Sequence, residues 1–237
     1  MKVPINPKTI FITLLILIIC LLIANLIGIV ATYFFEYDDA GGWVALFDFD
    51  TEKNIPTFYS SLALMLCSVL LLIIFIKQRK PGYPHLHWLG LAVIFLFLSI
   101  DEAISIHERS IEPLREILGT SGLLYYAWVI PYSLGLIVLL ALYFGFLLNL
   151  PKKIRDLFIL SGVVFVSGAL GIEMIGGLYT ELHGTNNLTY SLITTCEEFL
   201  EMLGIVIFIY ALLICVTTRE LAISRESMTE KLLLREG

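Results

Sequence analysis

Long apolar runs separated by short polar segments divide the chain into six blocks, roughly 10–33, 57–76, 86–106, 124–149, 157–178 and 191–217. A helix needs about 20 apolar residues to cross a hydrocarbon core of about 30 Å, and every block reaches that range. None shows the sustained two-residue alternation of a half-buried strand. The pattern predicts an all-α polytopic membrane protein. A single six-helix transmembrane domain covers 1–217, and a short polar cytoplasmic tail covers 218–237. Lys2 and Lys8 precede the first block, whose apolar core exceeds the roughly 7–15 residues of a signal sequence. An uncleaved anchor is therefore expected.

Composition sharpens the exclusion. Only 15% of residues are charged, against about 25% in soluble domains, and mean hydropathy is +0.90. No glycine-rich phosphate loop, Ser/His/Asp arrangement, basic nucleic-acid patch or pair of haem-suited histidines is present. No nucleotide, haem or nucleic acid is expected as cofactor or partner. The lipid bilayer is the first expected partner; a small-molecule substrate, lipophilic or ionic, and self-association both stay open. Cys20, Cys67, Cys196 and Cys215 fall within predicted spans without C-x-x-C spacing and read as small buried hydrophobes.

Charge is sharply divided between the two sides. Of the 15 basic residues, 12 lie in the terminal segments and even connections, which the positive-inside rule assigns to the cytoplasm. Of the 21 acids, 16 lie in the outward loops or the outward parts of spans. Both termini are predicted to be cytoplasmic, under an outer surface rich in carboxylates.

Depth follows from about 1.5 Å of rise per residue. Asp101 and Glu102 come roughly 21–23 Å into span 3 and Glu173 roughly 24 Å into span 5, while Glu197, Glu198 and Glu201 lie roughly 9–15 Å below the outer boundary in span 6. Three helices thus bring six acids to one layer. Helical spacing places Asp101, Ser105 and Glu108 on one line if the helix continues, with Glu102 and Arg109 on the next stripe and His107 beside them. Glu197, Glu201 and Gly204 share a face, and Gly176, Gly177 and Thr180 follow Glu173 on its own. The opposite faces are Leu, Ile, Val and Phe, so the acids are expected to point into the bundle. Ser167 and Gly171 form a small-xxx-small pair that would make span 5 a central helix.

Six carboxylates in a layer of low dielectric cannot all stay ionised without compensation. One compensation is metal. Asp101, Glu102, His107, Glu108, Glu173, Glu197, Glu198 and Glu201 are the candidate ligands, and Ser105, Arg109, Tyr126, Tyr132 and His183 are candidate outer partners. Carboxylates from facing helices with an imidazole are the ligand chemistry of di-iron and di-manganese bundles, although the E-x-x-H pairs of ferritin-like proteins are absent. Iron or manganese is favoured, with zinc a further candidate. That set would serve a membrane enzyme, such as a metal-dependent oxidoreductase, or a sensor. The second compensation is a proton or cation pathway in a transporter or channel. The third is a structural network of protonated acids and hydroxyls.

The outward segments add detail. Glu36, Asp38 and Asp39, followed by Asp48, Asp50 and Glu52, read as a solvated acidic cap over the site; the D-x-D-x-E stretch of Asp48, Asp50 and Glu52 has the oxygen donors that suit Ca²⁺ or Mg²⁺ but lacks the spacing and glycine of an EF-hand loop. Thr57, Tyr59, Ser60 and Ser61 are expected to bring hydroxyls to the same layer. Ile111, Leu114 and Leu118 repeat at helical spacing against Arg115 and Glu116, which predicts a short interfacial helix able to act as a lid. Trp128 reads as an aromatic marker of the membrane interface. Asn187-Leu-Thr189 fits a glycosylation sequon on the outward side.

The chain resembles a group of bacterial multi-pass membrane proteins. The resemblance rests on Phe49-Asp-Thr-Glu-Lys-Asn-Ile-Pro-Thr, on Leu98-Ser-Ile-Asp-Glu with His107-Glu108 (D-E-x4-H-E), on Gly171-Ile-Glu-Met (G-x-E-M), and on Glu197-Glu-Phe-Leu-Glu-Met-Leu-Gly (E-E-x2-E-M-L-G). It spans most of the chain, implies a bacterial inner-membrane setting, and carries no activity with it.

Overall fold

The computed structural model describes residues 6–35, 42–77 and 85–236, with the backbone alone for 85 and 218–236. Glu36, Asp38 and Asp39 of the acidic cap lie outside the described residues. The described part is all-α: α1 (Pro7–Phe35), a short α2 (Trp43–Phe47), α3 (Ile55–Lys77), α4 (His85–Ile104), α5 (Ile106–Leu118), α6 (Val129–Leu148), α7 (Lys152–Val166), α8 (Glu173–His183) and α9 (Leu188–Glu236). A wider π-helical stretch, Ser167–Ile172, joins α7 to α8, so Lys152–His183 forms one long apolar rod. Six helical stretches are long and apolar enough to cross a membrane. The apolar side chains that cover their outer faces, such as Ile137, Leu142 and Phe144 on α6, are exposed, as a lipid-facing surface requires.

The centre of the bundle is α9, flanked by α1, α3, α7 and α8. Met202, Val206, Ile209 and Leu212 on this helix are fully buried. Two glycines set the distance between α7 and α9. A Cβ on Gly204 would fall 2.7 Å from the Phe165 backbone nitrogen, and one on Gly168 would fall 2.7 Å from the Glu197 carbonyl oxygen. Bare backbones therefore meet at both points. Ser167 and Gly171 face outward instead. Close packing thus falls on their neighbour Gly168, and span 6 rather than span 5 is central.

The hydroxyls of Ser61, Ser68 and Tyr59 on α3 bond to backbone carbonyls of neighbouring helices. Ser61 Oγ donates to the Ser99 carbonyl at 2.9 Å, Ser99 Oγ donates back to the Ser61 carbonyl at 2.8 Å, and Ser68 Oγ donates to the Ala92 carbonyl at 2.7 Å. Tyr59 reaches the Leu14 carbonyl of α1 at 3.2 Å. Asn187 has a structural task too: its Oδ1 accepts the Tyr190 backbone N–H and the Tyr179 hydroxyl, at 3.0 and 2.9 Å, which caps α9.

The helix α6 packs differently from the rest. It makes no extended backbone approach to another helix and touches the bundle through large side chains. Tyr143 donates to the His87 carbonyl at 3.1 Å, Phe146 meets the Trp88 ring edge to face at 4.9 Å, and Tyr132 reaches Asp101 at 2.8 Å. A cavity of about 550 Å³ lies between α6 and α4, α7 and α9.

Candidate metal centre

The turn from α4 into α5 departs from the sequence expectation. Ser105 adopts φ 54° and ψ 53°, a left-handed conformation uncommon for a residue with a Cβ, and the helix breaks there instead of continuing to Glu108. Asp101 supplies the reason. Its Oδ1 accepts the His107 backbone N–H at 2.9 Å, satisfying a donor that the start of α5 leaves open. Its Oδ2 accepts the Tyr132 hydroxyl at 2.8 Å and lies 3.4 Å from His107 Nδ1. The break turns His107 and Glu108 over the end of the bundle, and α5 continues as the amphipathic helix expected from its spacing.

A loop from the other side meets them. Residues 48–54 are tied down by two asparagines. Asn54 Oδ1 accepts the Thr57 backbone N–H at 3.1 Å, and its amide reaches the carbonyls of Ala45 and Asp48. Asn25, buried in the middle of α1, accepts the Phe49 N–H at 3.1 Å and donates to Thr195 Oγ1 of α9 at 2.8 Å. Lys53 turns through φ 64°, and Glu52 comes to face α5. One ligand atom from each of Glu52, His107 and Glu108 lies within 4.8 Å of the others. Glu52 Oε2 is buried and has no hydrogen-bond partner among the described residues.

Electrostatics outside the spans fits a site crowded with acids. Burial opposes the imidazolium of His107, but the hydrogen bond and charge of Asp101, with Glu108 and Glu52, hold its pKa above the usual value. Burial, then the charge of Glu52, pushes the Glu108 carboxyl upward. Burial also raises Asp50, partly offset by a hydrogen bond with Tyr190.

Beneath this roof the intramembrane acids form one cluster. Glu102 of α4 and Glu198 of α9 interact with each other and with Glu52 and Glu108, and Glu201 interacts with Glu102, Glu173 and Glu198. Within it Glu173 and Glu197 are hydrogen-bonded to each other, and Glu197 also meets the charges of Glu198 and Glu201. Two carboxyl groups bond in this way only by holding a proton between them. Glu173 Oε1 also accepts the Trp128 indole N–H at 2.7 Å, and the Trp128 ring lies 4.9 Å from that of His107.

The candidate outer partners divide as well. Tyr132 holds Asp101. Tyr126 packs over Gly177, and its hydroxyl lies 2.8 Å from Thr180 Oγ1 and 3.3 Å from the Tyr190 hydroxyl. Ser105 Oγ is buried without a partner. Arg109 is exposed, and His183 is exposed at the end of α8 with its ring stacked on Tyr179 at 4.5 Å.

Sequence reasoning missed Glu52, Asn25 and the role of Trp128. In the sequence Glu52 reads only as part of a D-x-D-x-E stretch for a hard cation or as solvated surface, and not as a partner of His107 and Glu108. A lone Asn mid-span is costly without a partner, and that cost was the signal for Asn25. Trp128 is buried and bonded to an acid, so it is not an interface marker.

The chain belongs to the family defined by a domain that matches over residues 11–216. That family is described as "Domain of unknown function (DUF8692)". Searches of curated proteins and of solved structures return no match.

Proposed function

We propose that this protein is a membrane metalloprotein of the carboxylate-rich type. Glu52, His107 and Glu108 hold one ion, and Glu102, Glu198 and Glu201 supply the carboxylates for a second beside it. The observation that carries this is the compact Glu52–His107–Glu108 group, with its buried, unpartnered Glu52 oxygen, set over acids of two spans. The oxygen-rich set with a single imidazole favours iron or manganese over zinc, whose catalytic sites are richer in His. Asp101 orients His107, and the Glu173–Glu197 pair borders the site through Trp128.

Metal there would supply redox or Lewis-acid chemistry to an oxidoreductase or sensor. The protein's own groups would position it, neutralise its charge and keep the far side dry. The resemblance implies a bacterial inner-membrane setting, and the charge division along the sequence supports this end facing outward, to the periplasm. A transporter has less support, because among the described residues the cavity below the acids is lined by Leu64, Leu91, Leu139, Phe158 and Phe208, with Ser161 beside them, and carries no acid.

Elemental analysis of protein purified without chelator tests the proposal. Near-stoichiometric iron or manganese is expected in the native protein and should be lost in Glu52→Gln and His107→Ala but kept in Glu112→Gln, whose side chain is exposed on α5. Metal-free native protein whose melting temperature does not move when iron, manganese or zinc is added back would sink it.

A further inference from the structure

The cavity beside α6 has a shape and polarity that the metal reading does not use. It is lined by Asp101, Glu102, His107, Glu197, Glu198 and Glu201 at one end. Beyond them the lining is apolar apart from Ser161 of α7, whose hydroxyl donates to the Phe158 carbonyl at 3.0 Å, and Tyr132 of α6, whose hydroxyl is held by Asp101. Acidic end included, the cavity runs from Glu102 to Leu91 on α4, from Trp128, just before α6, to Leu139, and from Glu197 to Phe208 on α9. At about 1.5 Å of rise per residue each wall is about 16 Å long. That is the depth of one leaflet, half of a hydrocarbon core of about 30 Å. A leaflet-deep cavity with one acidic end and an apolar shaft below it, about 10 Å of wall from Leu98 to Leu91 on α4, is matched to a molecule with a single chain and a small head.

There is also a way in. On the outer side a second groove runs between α4 and α6, lined by Leu86, Val93, Val138 and Leu142, and it meets the cavity at Ile94, Gly135 and Leu139. Because α6 is held by a few large side chains and not by close backbone packing, the seam between α4 and α6 opens toward lipid. Two glycines widen the shaft itself. A Cβ on Gly135 of α6 or on Gly162 of α7 would meet nothing within 4 Å, so these positions hold space open and do not serve helix contact.

We propose that the cavity binds one single-chain membrane amphiphile with a neutral or cationic, hydrogen-bond-donating head, a hydroxyl or an ammonium. The chain lies between α4, α6, α7 and α9, and the head donates to Glu102, Glu198 and Glu201. Charge sets the head chemistry: five carboxylates and one imidazole line the polar end, so an anionic head would be repelled whereas a donor would be held. The chain's place in the cavity does not depend on the metal, whereas the donor head is the one that the acids favour with no ion on them. If metal is bound, the head lies next to it as substrate; if none is bound, the amphiphile is the site's ligand in its own right.

The test uses the full-length protein in neutral-lipid nanodiscs, with and without prior chelation. The probes are a long-chain alcohol, the corresponding amine and the corresponding fatty acid, each with a photoreactive diazirine at mid-chain. Adducts are mapped by peptide mass spectrometry. The alcohol and amine are expected to label cavity residues such as Phe95, Leu136, Phe165 and Ile205, and this labelling should be lost in Gly162→Leu and in Gly135→Leu. Both substitutions fill open space and favour helix over glycine; being on different helices, one remains informative should the other fail to fold. Labels confined to outward residues such as Leu134 and Ile137, or unchanged in both variants, overturn the cavity assignment. In chelated protein, fatty-acid labelling as strong as that of the alcohol overturns the head assignment. Chelated protein that labels as well as untreated protein supports this proposal even where elemental analysis has removed the metal reading.

Discussion

Asp101 and His107 are bonded twice: the carboxylate takes the His107 backbone N–H at 2.9 Å and lies 3.4 Å from the imidazole Nδ1. One buried residue at the end of α4 therefore fixes both where the next helix starts and how its imidazole is turned. A carboxylate on Nδ1 favours the tautomer that leaves the Nε2 lone pair free for a cation. Tyr132 of α6 completes the arrangement by donating to the same carboxylate at 2.8 Å, which ties the loosely packed helix to the site.

This relationship sets the first expectation. Asp101→Asn keeps an acceptor for the backbone but loses the charge, and loss of such an orienting carboxylate typically weakens metal binding about 10–100-fold. Tyr132→Phe removes one hydrogen bond of the net order of 1 kcal/mol and should cost less. Competition titration against a chromophoric chelator measures both. An Asp101→Asn protein that binds iron or manganese as tightly as the native chain would remove Asp101 from this role.

The raised pKa values of His107 and Glu108 give a pH dependence for the metal-free protein. Both groups hold protons more tightly folded than unfolded, so each stabilises the fold at low pH and loses that contribution as pH rises. For His107 the contribution is complete below about pH 6.5 and vanishes as pH climbs through its higher folded value. The melting temperature of chelated protein should therefore decline above about pH 6.5, and His107→Gln should flatten that decline. A melting temperature that rises across the same interval contradicts the assignment.

Most of the fold was legible because membrane helices must satisfy their own backbone and present apolar surface, and both demands are written in hydropathy. The common layer of acids was legible from depth counting. The break at Ser105 was not, because it depends on a carboxylate reaching forward to His107 in three dimensions. Nor was the choice of Gly168 over Ser167–Gly171 for close packing, since the π-helical stretch turns the small pair to face outward. Glu52 needed the fold of an entire loop, which Asn25 fixes from a helix some 24 positions earlier in the chain.

Asn25 should accordingly matter more than its distance in sequence suggests. It is 2% exposed and spends its amide on Thr195 and its carbonyl on Phe49. Asn25→Leu removes both bonds and leaves the Phe49 N–H without that acceptor, a loss of about 1–3 kcal/mol. Its signature is a lower melting temperature together with weaker metal retention, because the loop carrying Glu52 loosens. Weakened stability with unchanged metal affinity would mean that the loop is held by Asn54 alone.

Trp128 offers the sharpest separation between the metal site and the acid pair. Its indole N–H donates to Glu173, which shares a hydrogen bond with Glu197, and its ring lies against His107. Trp128→Phe keeps an aromatic ring beside the imidazole but removes the donor, leaving a buried carboxyl short of a partner at about 1–3 kcal/mol. Stability should fall by that order, while the metal held by Glu52, His107 and Glu108 stays in place. Adding Glu173→Gln supplies an amide where the carboxyl was and should recover less than the full loss, since two neighbouring groups depended on the original proton. Melting curves of the single and double variants, with metal content measured on the same samples, decide the matter. If Trp128→Phe strips the metal without lowering stability, the indole orients His107, and Glu173 is not the group it serves.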